Sequence, residues 1–336
     1  MKTITLVCGL LLGLSFSTPL FSQKVIALHH AGVVSYFTDL NAAYTAAADG
    51  DTLYLPGGSF DGFTLQKSLT IIGVGHHPDS TAATGPTIIA SLILYTGSDN
   101  SFISGINFNN VFQVIEPVSN VTISRCYLNK GISFSAPCSN WTILENLLQT
   151  ASIGYYQNSI QTANNATYIS NSFIANNVML QGIGGISASM ITNNIFLANV
   201  IAGHSNTIKN NIMGVGNNTL GNTSNSQFFN NLNTGVNGGP SGSGNTGSGN
   251  YLDNVELSSV FVNYSPTNTF YQNDFHVVNP AYLGDDNTPA GIYGGSFPWK
   301  DGSLPFTPHI RSKTIGATTN PDGTLKINIK VKAQSN

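Results

Sequence analysis

"ITNNIF", residues 191–196, returns seventeen residues later as "IKNNIM", residues 208–213. Asparagine is a poor helix former, and the apolar spacing changes from four to one within each copy, so neither reads as a helix. With the first isoleucine as an anchor, equivalent positions recur at Ile103, Ile123, Ile143, Ile169, Ile191, Ile208 and Phe228, in steps of 20, 20, 26, 22, 17 and 20 residues. The register is clearest where "PVSNVTI" (117–123) and "PCSNWTI" (137–143) agree at five of seven positions. A period near twenty that tolerates insertions is a solenoid signature.

Each repeat is a short β-branched run, a polar bend and a second apolar pair, too short to hold both a three-turn helix and a strand. The expected fold is therefore all-β: a right-handed parallel β-helix with coils of about twenty residues, its hand following from the rule for parallel crossovers. The bend column reads Ile106, Cys126, Asn146, Ser172, Asn194, Asn211 and Asn231. Asparagine tolerates the left-handed conformation of a sharp bend, and stacked amides can bond to the rungs above and below. Asn146, Asn194, Asn211 and Asn231 are thus expected to form a structural ladder.

Composition agrees with a folded, neutral solenoid. Of the 336 residues, 41% are apolar and only 8% charged, which separates the chain from disordered sequences. The net charge of −3, with no obvious basic patch, argues against a nucleic-acid partner. Residues 1–22 have the layout of a secretory signal: one lysine near the start, an apolar run, then small residues. No later apolar run is long enough to span a membrane, so a secreted or periplasmic protein, soluble and monomeric, is expected. Cys126 and Cys138 lie twelve residues apart on a coil of about twenty, on different sides of it, and are expected to stay free.

The expected organisation is a β-helix over residues 23–300 and a tail over 301–336. A capping helix is read in residues 38–50, with Thr38 as N-cap and Gly50 as the stop, and "GVNGGPSGSGNTGSGN" (235–250) as a loose insertion. In "TLKINIKVKA" (324–333), Leu325, Ile327, Ile329 and Val331 alternate with polar residues, which predicts a half-buried strand packed on the solenoid.

Two segments carry a family resemblance. "AADGDTLYLPGGSFDGFTLQKSLTIIGVG" (47–75) resembles the opening of pectin-lyase-like right-handed β-helix proteins, and "DFHVVNPAYLGDDNTPAGIYGG" (274–295) is similar to the closing coil of secreted bacterial members. The resemblance covers roughly residues 35–300. It implies the fold, and it implies polysaccharide lyases, glycoside hydrolases or non-catalytic relatives as the range of function.

No catalytic residue of that family can be carried over. Between Ser101 and Asn250 the only charged residues are Glu116, Arg125, Lys130, Glu145 and Lys209, and the two carboxylates occupy different columns. Arg125 and Glu145, one rung apart in one column, read as an ion pair rather than as a lyase base and its neighbour. The adjacent histidines at 29–30 and 76–77 would point to opposite faces of a strand, which disfavours joint metal ligation. Asp285 and Asp286 are candidate Ca²⁺ ligands, with a capped turn as the alternative. Aromatics crowd the last third; Tyr271, Tyr293 and Trp299 are the candidates for carbohydrate stacking, and the rest are expected to fill the core of the closing cap. The expected role is glycan or cell-surface binding, or a structural one. The alternative is a lyase or hydrolase of uronate polysaccharide using loops 76–99 or 274–301, which hold six of the fifteen acidic residues.

Overall fold

The computed structural model describes residues 24–149, 151–153, 156–163, 166–198, 201–214, 223–233, 242–251, 255–303 and 306–333. The proposed leader, residues 1–22, lies outside them. The chain forms a parallel β-solenoid whose coils contribute one rung to each of three sheets. In sheet A the parallel rungs run from Thr52–Tyr54 through Thr70–Ile72, Phe102–Ser104, Thr122–Ser124 and Thr142–Leu144 to Thr246–Ser248. Sheet B holds two-residue rungs such as Leu147–Leu148, Val178–Met179, Ile195–Phe196 and Ile212–Met213, and sheet C completes the coil.

The middle of sheet A stacks Ile71, Ile103, Ile123, Ile143, Ile174, Ile191, Ile208 and Phe228, all fully buried. One anchor expected from the sequence is displaced: Ile143 pairs with Ile174, whereas Ile169 belongs to sheet C, between Cys138 and Ile186. The coil between them is enlarged by the antiparallel pair Ala151–Ile153 and Tyr156–Asn158.

The paired asparagines divide two tasks at the corner between sheets A and B. The first residue takes the left-handed conformation, at Gly105, Arg125, Glu145, Asn176, Asn193, Asn210, Asn230 and Gly249. The second turns inward. Its Oδ1 accepts from the backbone N–H of the preceding rung along Cys126, Asn146, Asn177, Asn194, Asn211, Asn231 and Asn250, at 2.8 to 3.1 Å. Its Nδ2 donates to a carbonyl one coil back, as from Asn211 to Ile191 O at 2.9 Å. Asn177, not Ser172, is the ladder residue of the enlarged coil. Ser172 serves a second ladder at the corner leading into sheet A, where Ser172, Ser189, Asn206, Ser226 and Asn245 each accept from the rung before. Residues 242–250, part of the stretch read as an insertion, therefore form a regular rung that ends both ladders.

The first rung is closed by a hairpin, Ile26–His30 with Val33–Phe37, and by the helix Leu40–Ala46. Asp39 rather than Thr38 is the N-cap, its carboxylate accepting from Ala42 N at 2.8 Å. The last carbonyls are held by Lys67 Nζ, at 2.6 Å from Ala47 O, so the helix stops before Gly50. Cys126 and Cys138 are free and buried, and burial pushes their thiols up to about 12 and about 11.

The strand expected to be half-buried on the solenoid pairs instead with His309–Ile315 as Ile327–Lys332, in an antiparallel hairpin whose apolar residues are exposed. Strict alternation fixes which residues share a face, but not what that face meets.

Removing one ladder amide leaves a buried N–H and two carbonyls unpaired, so Asn211→Ala is expected to cost about 1 to 3 kcal/mol. Asn328→Ala, on the exposed hairpin, is expected to change stability by less than about 0.5 kcal/mol. Thermal or denaturant melting of both variants checks the difference, and equal effects would remove the ladder's energetic role.

Candidate functional site

Sheet B is apolar on both faces. Leu148, Met179, Phe196 and Met213 fill the solenoid interior, while Leu147, Val178, Ile195, Ile212 and Leu232 face outward. The outer column is covered by the closing segment through Phe261, Phe270, Phe275, Tyr282, Ala290 and Ile292. Two consecutive apolar residues after the asparagine pairs at 176–177, 193–194 and 210–211 thus mark rungs buried on both sides.

The left-handed residues of the corner hold this segment as it runs back along the stack. Asn230 Nδ2 reaches Leu283 O at 3.4 Å, and Asn210 exchanges bonds with Asp285 at 2.8 and 3.0 Å. Asn193 reaches Gly291 O, and Asn176 reaches Ile292 O and Gly294 O. The approach is so close that a Cβ on Gly295 would lie 2.7 Å from the Asn193 amide, which gives the glycines of "GIYGG" their role. Asp285 also pairs with Lys209 at 2.7 Å, and hydrogen bonds from these partners outweigh the upward push of burial and hold its carboxyl below the ordinary range. Asp286 accepts instead from the Thr288 amide and hydroxyl. The two candidate Ca²⁺ ligands are therefore engaged with different partners, and among the described residues no group of three or more His, Cys, Asp or Glu is placed to hold a metal ion.

Farther along the segment a cleft of about 430 Å³ opens over Leu147 and Val178. Tyr271, Tyr293 and Trp299 all line it, together with His77 and Asp79 from the loop after Thr70–Ile72, and Arg311 and Lys332 from the terminal hairpin. Tyr271 is anchored against His76, with its hydroxyl 3.0 Å from His76 Nδ1, and His77 meets its ring edge-on at 4.8 Å. Burial holds His76 near 3, so that ring stays neutral, and burial likewise raises the Tyr271 phenol. Tyr293 stacks on His276 at 3.7 Å and donates to Asp301 Oδ1 at 2.8 Å. Burial first, and then the Asp301 carboxylate, keep this phenol protonated. His276 Nδ1 lies 2.6 Å from Asp274 Oδ1; burial alone would raise Asp274, but bonds from the His276 amide and ring outweigh it and lower the carboxyl.

The three aromatic candidates, all from the closing segment, thus share one cleft with residues of the loop after Thr70–Ile72 and of the terminal hairpin. Asp274, His276, Asp301 and Arg311 carry no individual signal in the sequence, and His77 signals only a disfavoured metal ligand, although the acid-rich loops 76–99 and 274–301 point to the region. The cleft combines aromatic faces, two carboxylate-bonded polar pairs and cationic side chains at the rim, a set suited to stacking on sugar rings and bonding their hydroxyls.

Beside the cleft, Arg125 Nε lies 2.5 Å from Glu145 Oε2, with only 17% and 5% of the two side chains exposed. Phe306 lies 5.9 Å from the guanidinium, and Trp299 and Lys300 flank the pair. The pair is more enclosed than a surface ion pair, and it does not present Arg125 as an open base. Burial raises the Glu145 carboxyl above its ordinary 4.5, against the attraction of Arg125.

Family models, curated proteins and solved structures were compared with the chain, and none matches.

Because removal of either partner leaves the other half-buried and unpaired, Arg125→Ala and Glu145→Ala are each expected to cost about 2 to 3 kcal/mol, and the double variant less than their sum. Additivity in a double-mutant cycle would show that the two side chains do not interact. A second outcome concerns pH. The folded Glu145 holds its proton more tightly than the unfolded chain does, so its contribution is full below about pH 4.5 and declines as pH rises through the raised folded value. Glu145→Gln should flatten that part of the stability profile measured by denaturant melts across pH.

Proposed function

We propose that this is an exported protein of the pectin-lyase-like β-helix type that binds a polysaccharide or cell-surface glycan in the cleft of Tyr271, Tyr293 and Trp299. The reading rests on one observation: three partly buried aromatic residues of the closing segment meet carboxylates and histidines, His77 and Asp79 among them from a distant loop, in one cleft over the outer face of sheet B. The resemblance at residues 47–75 and 274–295 and the apolar leader support it. A binder needs shape, ring faces and hydrogen-bonding groups, and the cleft supplies all three without demanding an activated nucleophile.

A second reading is favoured by the pairs Asp274–His276 and Asp301–Tyr293. A carboxylate-oriented imidazole is a suitable base, and a phenol kept protonated is a suitable acid, for eliminative cleavage of a uronate polysaccharide.

Isothermal titration against a panel of neutral and uronate oligosaccharides separates the readings when run beside an assay for unsaturated products, with and without Ca²⁺. Binding without turnover is expected, with Trp299→Ala and Tyr293→Ala weakening it about tenfold or more while the fold is retained. Turnover abolished by His276→Ala would replace the first reading with the second. No binding by any member of the panel would remove the glycan assignment.

A further inference from the structure

The terminal hairpin carries a run of exposed aliphatic side chains that the fold leaves uncovered. Its register places Ile315 beside Ile327, Lys313 beside Ile329 and Ile310 beside Val331, so these six side chains share one face. On that face Ile315, Ile327, Ile329 and Val331 are 56%, 55%, 52% and 59% exposed, values that for aliphatic side chains call for a covering partner. The other face carries Ser312, Thr314, Lys330 and Lys332, and of the hairpin's described residues only Arg311 and Lys332 line the cleft.

Charge selects the partner. Residues 309–332 hold five of the chain's twelve Lys and Arg but one of its fifteen acidic residues, leaving seven basic against fourteen acidic elsewhere. That one acid, Asp322, is engaged in the turn by the Thr324 amide and hydroxyl. Lys313 sits in the midst of the aliphatic face, which has no acid to meet it. Packing two copies face to face would bury both lysines without partners and bring two cationic ribbons together. Protein interfaces also deplete lysine and favour aromatic residues at their cores, whereas this face is aliphatic and surrounded by lysine.

We infer that the hairpin Ile310–Val331 docks on an anionic lipid surface, with Ile315, Leu325, Ile327, Ile329 and Val331 entering the boundary between headgroups and acyl chains and Lys313, Lys326 and Lys330 at the phosphates. A flat two-stranded ribbon can seat its aliphatic face at that depth while lysine stems reach back to the headgroups. The protein is then peripheral; among the described residues no helix is long and apolar enough to cross a membrane, and this mode of docking requires none. The solenoid and its cleft would be held beside the membrane by their last residues.

The test is co-sedimentation of the full chain with vesicles of phosphatidylcholine alone and of phosphatidylcholine mixed with phosphatidylglycerol. Ile327→Ser/Ile329→Ser and Lys326→Gln/Lys330→Gln are compared with the parent, so that any contribution of the apolar N-terminal residues is common to all three. Neither pair lines the cleft, and all four side chains are exposed, so melting and oligosaccharide binding should be unchanged. The parent should bind the anionic vesicles, more weakly as salt is raised, and each double variant should bind about tenfold less or worse. Undiminished binding in both variants, equal binding to neutral vesicles, or no binding at all would overturn the inference. So would a dimer, seen by sedimentation velocity, that Ile327→Ser/Ile329→Ser dissolves.

Discussion

The corner amide ladder is the interaction on which the rest of this molecule depends. A three-sheet coil must turn sharply between sheets, and at each turn a backbone N–H and its neighbouring carbonyls face inward, where no water reaches them. From Asn146 to Asn250 a side-chain amide supplies the missing partners, accepting from one rung and donating to carbonyls of the coil behind. Each rung is satisfied by the next, so the ladder is a cooperative column rather than a set of separate bonds. The solenoid core can be built of stacked isoleucines because its corners need nothing from solvent.

The same two-residue bend also organises the exterior. Because the first residue is left-handed, its side chain is directed away from the ladder, and where it is asparagine it binds the backbone of the closing segment. One pair of asparagines therefore closes the coil inside and fastens a strap outside. Where the column carries Arg125 and Glu145 instead, at φ of 52° and 54°, the left-handed conformation costs more than it does for asparagine or glycine. The strap there offers side chains, Trp299, Lys300 and Phe306, rather than backbone. The cleft opens where the strap changes from one kind of contact to the other.

This arrangement explains what could be read in the sequence. The period, the isoleucine column and most of the ladder are local patterns that recur every seventeen to twenty residues outside two longer coils, Ile71 to Ile103 and Ile143 to Ile174, and they are legible. Ile169 reads like Ile174, and Ser172 like Asn177, because both corners use the same grammar: a left-handed residue followed by a bonding one. "ISNS" at 169–172 is a correct bend read at the wrong corner. The N-cap slipped by one residue, as helix ends commonly do. The aromatic candidates were legible as a crowd, but not their convergence, since Tyr271 meets His76 across 195 residues of chain. The basic hairpin was equally hidden: its charges are spread over 311–332, and only strand pairing gathers them.

Stacking also explains where the charge went. Equivalent residues of successive coils lie about 4.8 Å apart, so a charged residue kept in one column would repel its copies above and below. Neutral asparagine, serine and threonine can repeat without that cost, and the charged pair stacked on successive rungs, Arg125 with Glu145, is of opposite sign. Titratable groups that must converge therefore have to come from outside the repeat. In this chain they come from the loop after Thr70–Ile72, the closing segment and the terminal hairpin, which together line the cleft. The regular coils provide a long support with few charges, and the titratable groups that converge in the cleft come from segments that do not repeat.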